Sequence, residues 1–243
     1  MLALLKKEIR SFLSSLIGYV VIGVFLLLIG LMMWIFPGEL NVLDYGYSTL
    51  DTLFYVAPWV FMFLIPAITM RSFAEEKRTG TIELLLTRPL SEMQIVLAKY
   101  FAGLILVIIA LIPTLIYYFS VYRLGQPVGN IDTGGTWGSY IGLIFLAASY
   151  VSIGIFASSI TSNQIVSFLA AVFLTFIMYF GFEALGSFEV FGSLDRFVLS
   201  LGLSDHYVSM SRGLIDTRDI AYFVIVSGLF LFLSRLVIQG RRW

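Results

Sequence analysis

The sequence has no cysteine and few charged residues, and each shortage excludes a class of protein. Without cysteine, the chain has no disulfide, no catalytic thiol and no thiolate ligand for a metal ion. Only 12% of its 243 residues are charged and 59% are hydrophobic, whereas soluble domains contain about 25% charged residues. This composition, with a mean hydropathy of +0.96, indicates an integral membrane protein.

The chain also lacks the motifs of the commonest catalytic and nucleotide-binding sites. It contains no GxxxxGK(S/T) loop, so it is not a P-loop ATPase by itself. Its one histidine, His206, lies beside Asp205 in a predicted loop. It is interpreted as a surface residue, because a metal site needs several such ligands. Glu75 and Glu76 are adjacent, but no histidine or acid of a later span joins them on that side of the membrane. We therefore predict no catalytic, cofactor-binding or metal-ligating residue. The net charge of zero gives no indication of nucleic acid binding.

Six hydrophobic stretches are long enough to cross a membrane as helices. The sequence therefore predicts an all-α, polytopic membrane protein with one transmembrane domain over residues 1–243. The predicted spans are 16–36, 53–70, 95–121, 138–160, 165–185 and 220–238. The first is interpreted as a retained span, because the hydrophobic core of a signal peptide is only about 7–15 residues long.

Charged residues are absent from the centres of all six predicted spans. An ion-coupled secondary transporter usually places a carboxylate near the middle of the membrane, so this absence weakens that alternative. Lys99 lies near the start of the third span, and its long side chain is expected to reach the lipid headgroups. Gly138 and Gly142, four residues apart, predict close helix packing in the fourth span, as do Gly154 and Ser158.

Both ends of the chain and one loop have amphipathic patterns that are typical of membrane surfaces. Residues 1–15 predict a basic amphipathic helix, and the chain ends in a basic, aromatic segment. The predicted surface anchors are Lys6, Lys7, Arg10, Arg241, Arg242 and Trp243. In the loop before the sixth span, an apolar stripe predicts a short interfacial helix that ends at Gly202; its members are Leu194, Phe197, Val198 and Leu201. A second short helix is expected from a Ser204 cap to Gly213.

The distribution of basic residues predicts the orientation. With six spans, eleven of the fifteen basic residues fall on the side of the two termini, and Arg123, Arg196, Arg212 and Arg218 fall on the other. The positive-inside rule then places both termini and residues 71–94 in the cytoplasm.

Residues 71–94 form the longest polar interruption in the first half of the sequence and contain a short predicted helix. Thr81 is expected to cap it, Glu83 lies in its first turn and Pro89 ends it. Ile82, Leu85 and Leu86 share its apolar face, and Ser91 with Gln94 predicts a capping box for the third span. Two interpretations remain open from the pattern. The helix either rests on lipid headgroups or docks into a soluble partner.

This stretch matches the pattern E-x-x-x-G-T-x-E-x-L-L-x-x-P-x-S, and with it the chain resembles the type-2 ABC exporter permeases. The matching positions are Glu76, Gly80, Thr81, Glu83, Leu85, Leu86, Pro89 and Ser91. The C-terminal run from His206 to Asp216 and the final residues 240–243 are also similar to that family. Its gliding-motility permease subunits look most alike, and a copper-related permease of nitrous oxide reductase maturation is similar.

The resemblance implies a permease subunit of the bacterial inner membrane that has no nucleotide site of its own. It would bind a separate ATP-binding cassette subunit, which holds the ATP, and would pair with a second permease subunit across the first and fifth spans. The resemblance assigns coupling to Glu76, Gly80, Thr81, Ile82, Glu83, Leu85, Leu86 and Pro89. The implied function is ATP-driven export, for gliding motility or secretion. A secondary transporter, or a membrane scaffold without transport, remains the alternative.

Overall fold

The computed structural model describes residues 1–86, 90–187, 192 and 195–240, apart from the side chains of 84–86. All regular structure within these ranges is helical. The α-helices are α1 Leu2–Leu13, α2 Leu16–Trp34, α3 Val42–Tyr45, α4 Asp51–Thr69, α5 Ala74–Arg78, α6 Thr81–Leu86, α7 Glu92–Leu111, α8 Leu115–Leu124, α9 Thr133–Ile160, α10 Gln164–Phe176, α11 Phe182–Ser187, α12 Asp195–Leu199, α13 Leu203–Ser211 and α14 Thr217–Gln239.

Six helical segments within the described ranges are long and apolar enough to cross a membrane, which confirms the predicted fold class. The second is longer than the sequence predicts, because α4 continues through Pro58 and Pro66 and is followed directly by a turn and α5. The third is interrupted by a 3₁₀ turn at Ile112–Thr114, where Pro113 lies. Proline provides no backbone N–H for an α-helical hydrogen bond, so this change of helix type is expected.

Helix α9 lies at the centre of the bundle and packs against α4, α7, α10, α13 and α14. Glycines of α9 and of its neighbour α7 allow this close approach, and the spacing of those in α9 was predicted. A methyl group at Gly138 would lie 2.8 Å from the Cα atom of Gly213, and one at Gly103 would lie 2.9 Å from Val151. Ser158 also contacts a neighbour directly. Its Oγ accepts hydrogen bonds from the backbone N–H groups of Phe73 and Ala74 at 2.9 and 3.1 Å. The turn between α4 and α5 is thereby held on α9.

With six candidate crossing segments, the start of α1 and the end of α14 lie on one face of the bundle. We call this the terminal face; it carries α1, α5, α6 and the end of α14. The opposite face carries α3, α12 and α13. The expected Ser204 cap is wrong, because α13 begins at Leu203 after Gly202, and Ser204 is buried inside the helix. In the predicted stripe, Phe197 is 62% exposed and Leu201 is 37% exposed, and Leu194 lies outside the described residues.

Candidate functional site

The predicted coupling segment lies on the terminal face, where the chain reverses direction between α5 and α6. Gly80 has a φ angle of +71°, a conformation that glycine adopts without the steric cost of a Cβ atom. Thr81 is the first residue of α6 and not its cap as predicted. Its hydroxyl instead lies 2.9 Å from the hydroxyl of Thr79 in the preceding turn. The reversal therefore depends on Gly80, and the two threonines tie α6 to the end of α5.

The two described side chains that follow Thr81 in α6 differ in exposure. Ile82 is only 8% exposed and belongs to the hydrophobic core of this chain, whereas Glu83 is exposed. The side chains of Leu85 and Leu86, and the whole of Pro89, lie outside the described residues. The side chain of Ile82 is therefore directed at the bundle, and Glu83 is on a surface that a partner can reach.

The helix after the coupling segment begins as the sequence predicts. The backbone N–H of Gln94 donates to Oγ of Ser91 at 3.3 Å, and the side chain of Gln94 accepts from the backbone N–H of Ser91 at 3.1 Å. This reciprocal pair is a capping box, which satisfies two backbone donors at the start of a helix. The local pattern was sufficient to predict it.

Lys99 does not extend to the lipid headgroups, so that expectation is wrong. It is 2% exposed, and its Nζ atom donates to Oε1 of Glu76 at 2.9 Å, Oε1 of Glu8 at 3.0 Å and the carbonyl oxygen of Ser72 at 2.6 Å. Burying a charge is costly unless it is paired and hydrogen-bonded, and these three acceptors satisfy the ammonium group. The ion pairs join α1, α5 and α7. The sequence signal for them was the presence of Glu8 and Glu76 among the five acids on the same predicted side as Lys99.

Helix α1 is amphipathic, as predicted, and its apolar side packs on the bundle. Leu4 is buried, while Lys6, Lys7 and Arg10 are exposed. Lys7 also approaches the ion pairs, with Nζ 3.7 Å from Oε1 of Glu76. The exposed basic side is compatible with the predicted membrane anchor, which stays a prediction. The other predicted anchors, residues 241–243, lie outside the described residues.

Helix α5 has a second link to the bundle, at the end of α9. The Nζ atom of Lys77 donates to the carbonyl oxygen of Ser159, next to the Ser158 hydroxyl that binds the start of α5. Helix α5 is therefore connected to α7 and α9 by hydrogen bonds. It is connected to α1 by the ion pair of Lys7 with Glu76 and through Lys99. A displacement of α6 that moved α5 would act on all three helices.

The opposite face contains a polar cluster that sequence reasoning missed. His206 is half-buried, so its interpretation as an ordinary surface residue is wrong. Its Nδ1 lies 2.7 Å from Oδ1 of Asp219, and its Nε2 lies 3.0 Å from the carbonyl oxygen of Ser200. Its ring stacks on Tyr222 with 3.9 Å between the centroids. Because both nitrogens face acceptors, only the doubly protonated ring donates to both. The cluster joins α13 to α14.

Tyr207, the next residue along α13, fixes this helix to the bundle. Its hydroxyl donates to the carbonyl oxygen of Phe54 in α4 at 2.7 Å. Burial raises the pKa of Tyr207 well above its ordinary value, so the phenol keeps the proton that this bond requires. Within the described ranges, no group of three His, Cys, Asp or Glu side chains is arranged to hold a metal ion.

Comparisons with known proteins agree with the membrane architecture. The sequence profile of the ABC-2 family transporter proteins matches residues 41–201, which is more than half of the chain. Two similar proteins, from Escherichia coli K12 and E. coli O157:H7, are both described as the probable multidrug ABC transporter permease YbhS. Each is 28% identical over 196 residues, which are 76% of this chain and 48% of the relative. The chain thus spans about half the length of these curated relatives.

Proposed function

Since this chain belongs to the ABC-2 transporter family, we propose that it is the permease subunit of an ABC transporter. It couples ATP hydrolysis by a separate ATP-binding subunit to export across the bacterial inner membrane. The observation that carries this proposal is the attachment of α6. This helix follows α5 through Gly80, and α5 is connected to α1, α7 and α9. A partner that moves α6 therefore acts on the bundle through α5.

The proposed docking surface is α6, on which Glu83 is exposed. Ile82 is buried and positions the helix, while Glu83, Leu85 and Leu86 are proposed to contact the ATP-binding subunit. Glu76 acts differently, since its carboxylate joins α5 to Lys99. Gly80 supplies the reversal, and Pro89 is proposed to end the helix. ATP is held by the partner, and no cofactor is assigned to this chain.

The remaining parts of the proposal concern orientation and assembly. We propose that the terminal face lies in the cytoplasm, because the sequence assigns eleven of the fifteen basic residues to that side. A second permease subunit is proposed to pack on α2 and α10. Their large apolar side chains are widely exposed, and an apolar groove of about 500 Å³ lies between α2, α4 and α10.

The cargo proposed for this chain is a small molecule. The relatives are described as probable multidrug permeases, which supports export of small molecules. A role of this export in gliding motility or secretion is proposed from the resemblance of the sequence.

The coupling assignment is tested by copurification of the ATP-binding subunit in mild detergent, measured as ATPase activity at matched membrane levels. Leu85→Asp places an unpaired charge in the proposed interface, which is costly. Loss of one central anchor lowers recovery by at least about tenfold. The control is Leu214→Asp, the same change at a 66% exposed residue near the opposite face, which should leave recovery unchanged.

Two results would contradict the proposal at different levels. Equal recovery with Leu85→Asp and wild type would show that this residue does not couple, and would favour a helix that rests on headgroups. If no ATP-binding protein copurifies with the wild-type chain, the permease function itself is wrong.

A further inference from the structure

A side chain that can change its charge lies at the contact between α13 and α14 on the opposite face. His206 is the only histidine of the chain, and histidine is the residue type whose charge ordinarily changes between about pH 5 and 8. Its side chain is 15% exposed and is held by Asp219, Tyr222 and the carbonyl group of Ser200. We call these four residues the histidine cluster.

The hydrogen bonds of the cluster need two hydrogens. Nε2 of His206 lies 3.0 Å from the carbonyl oxygen of Ser200, which can only accept, and Nδ1 lies 2.7 Å from Oδ1 of Asp219. A neutral imidazole carries one N–H, so beside an ionised Asp219 it makes only one of the two bonds, whereas an imidazolium makes both. A proton on Asp219 in place of the ring leaves the pair with the same two hydrogens. The geometry therefore requires one proton more than the deprotonated pair holds.

Asp219 also depends on that proton. It is 7% exposed, and its Oδ2 atom is buried without a hydrogen-bond partner. In the part of the chain that the structure describes, His206 is the one residue that hydrogen-bonds to its side chain. A buried charge is costly unless it is paired. When the pair loses its proton, Asp219 becomes a buried carboxylate beside a neutral ring, so the contact is less favourable.

Tyr222 adds a third interaction that favours the charged ring. The planes of the two rings are 21° apart and their centroids are separated by 3.9 Å. The π face of a tyrosine attracts a cation at this distance. The hydroxyl of Tyr222 also donates to the carbonyl oxygen of Leu201, next to the Ser200 carbonyl group that faces His206. Residues 200–202, which lead into α13, are therefore attached to both α13 and α14.

The other ionisable groups on the elements around the cluster do not replace this pair. Carboxylates ordinarily titrate at about pH 4 and phenols at about pH 10, and histidine titrates between them. Apart from half-buried Asp195, the charged groups at this face of those elements are exposed and screened by water and salt; they are Asp51, Asp132, Glu183, Arg196, Asp205, Arg212, Asp216 and Arg218. The phenols of α4, α9, α13 and the π-helical turn Ile177–Gly181 are Tyr55, Tyr140, Tyr150, Tyr179 and Tyr207. Histidine is therefore the residue type in this set whose ordinary charge change falls near neutral pH.

Helix α13 is attached to the bundle independently of the cluster. The hydroxyl of Tyr207 donates to the carbonyl oxygen of Phe54 in α4 at 2.7 Å. A methyl group at Gly142 of α9 would lie 3.1 Å from the Cβ atom of Met210, so the two helices are also in close contact. Loss of the bonds within the cluster therefore frees the side of α13 that faces α14, while α4 and α9 still hold the helix. The expected change is confined to α13 and residues 200–202.

We propose that the histidine cluster is a pH-dependent contact, which fixes α13 and residues 200–202 to α14 while His206 and Asp219 together hold the extra proton. Because the complete contact binds this proton, it is strongest at low pH and weakens as the pH rises and the proton leaves. The proposed orientation places the cluster outside the cytoplasm, where the pH follows that of the surroundings. The contact lies within one chain, so the proposal does not depend on the permease function.

Two measurements on the full chain in detergent test this proposal, each between about pH 5.5 and 9. Nuclear magnetic resonance with isotopically labelled histidine ring nitrogens shows whether one or both nitrogens carry a hydrogen, and its signals come from His206 alone. Hydrogen exchange, corrected for the pH dependence of exchange in an unstructured chain, gives the protection of the α13 amides, with α9 as the internal reference.

The protection of α13 should fall at least about tenfold from the low to the high pH, which corresponds to the loss of one hydrogen bond to a charged group. The protection of α9 should stay constant. The fall in α13 should have the same pH midpoint as the loss of the second ring hydrogen from His206.

His206→Gln removes the titrating ring, so the protection of α13 should be low and independent of pH. Asp205→Asn is the matched control, because it changes the exposed neighbouring residue of the same helix and should keep the wild-type pH profile. A pH profile that persists in His206→Gln would identify another titrating group and overturn the proposal.

Three results with the wild-type chain would also overturn it. They are ring signals that do not change over this pH range, a constant protection of α13 while the ring loses its hydrogen, and two different midpoints. If His206→Gln does not fold, these wild-type measurements still decide the question. Failure here would leave copurification of the ATP-binding subunit unaffected, so it is distinguishable from failure of the permease function.

Discussion

The Nζ atom of Lys99 lies 2.9 Å from Oε1 of Glu76, although the two residues belong to different helices and a charged lysine was expected at the membrane surface. Glu8 of α1 completes the cluster at 3.0 Å. The side chain of Lys99 is 1% exposed, so water does not screen these pairs as it does at a surface. The connection of α1, α5 and α7 therefore depends on one buried ammonium group.

Lys99→Met should destabilise the folded chain strongly, because it leaves two carboxylates close together without their shared base. Breaking a buried ion pair by removing one partner costs about 3–5 kcal/mol. The measurement is the melting temperature in mild detergent, with Lys6→Met at an exposed position of α1 as the control. The double variant Lys99→Met/Glu76→Leu should recover part of the loss. Equal melting temperatures for Lys99→Met and Lys6→Met would show that the cluster contributes nothing.

Gly138→Ala should weaken the packing of α9 on α13. The added methyl group would lie 2.8 Å from the Cα atom of Gly213 and 3.2 Å from the carbonyl oxygen of Met210. Backbone atoms cannot rotate away, and overpacking of this kind costs about 1–3 kcal/mol. Gly228→Ala is the control, since nothing lies within 4 Å of its added methyl group. In thermal unfolding, the melting temperature of Gly138→Ala should be lower than that of Gly228→Ala. A melting temperature for Gly138→Ala at or above that of Gly228→Ala would refute the close crossing.

Asp219→Asn should weaken the contact between α13 and α14. Asp219 is 7% exposed and accepts from His206 at 2.7 Å, and hydrogen bonds to charged groups contribute about 1.5–3 kcal/mol. Asp216→Asn is a matched change at the cap of α14, where asparagine caps as well as aspartate. Hydrogen exchange in α13 should increase for Asp219→Asn and stay unchanged for Asp216→Asn. Unchanged exchange in both variants would remove any role for the histidine cluster.

The orientation is tested with single cysteines, which the native sequence does not contain. Thr79 and Thr133 are exposed and lie on the terminal and opposite faces. In spheroplasts, a cysteine at position 133 should react with an impermeant maleimide, and one at position 79 should react only after the membrane is permeabilised. Labelling of position 79 from outside would reverse the assignment that the basic residues predict.

Predictions that depend on neighbouring residues in the sequence were the most successful, apart from two helix starts. The Ser91–Gln94 capping box involves residues three positions apart, and its hydrogen bonds are present. The caps expected at Thr81 and Ser204 were wrong because the helices begin next to Gly80 and Gly202. Several residue types can occupy the N-cap position of a helix. Packing of the adjacent segments decides which of the possible residues does so.

The sequence by itself determined that the chain is helical and has six segments long and apolar enough to cross a membrane, because the length and apolar character of each segment can be read from consecutive residues. It also indicated that the fourth span packs closely, since its small residues at four-residue spacing are visible in the sequence. Only the tertiary structure decided where Lys99 and His206 lie. Lys99 meets Glu8 across 91 positions, and His206 meets Asp219 across 13. A charge is buried or exposed according to the acceptors that other helices bring to it, and no local pattern specifies them.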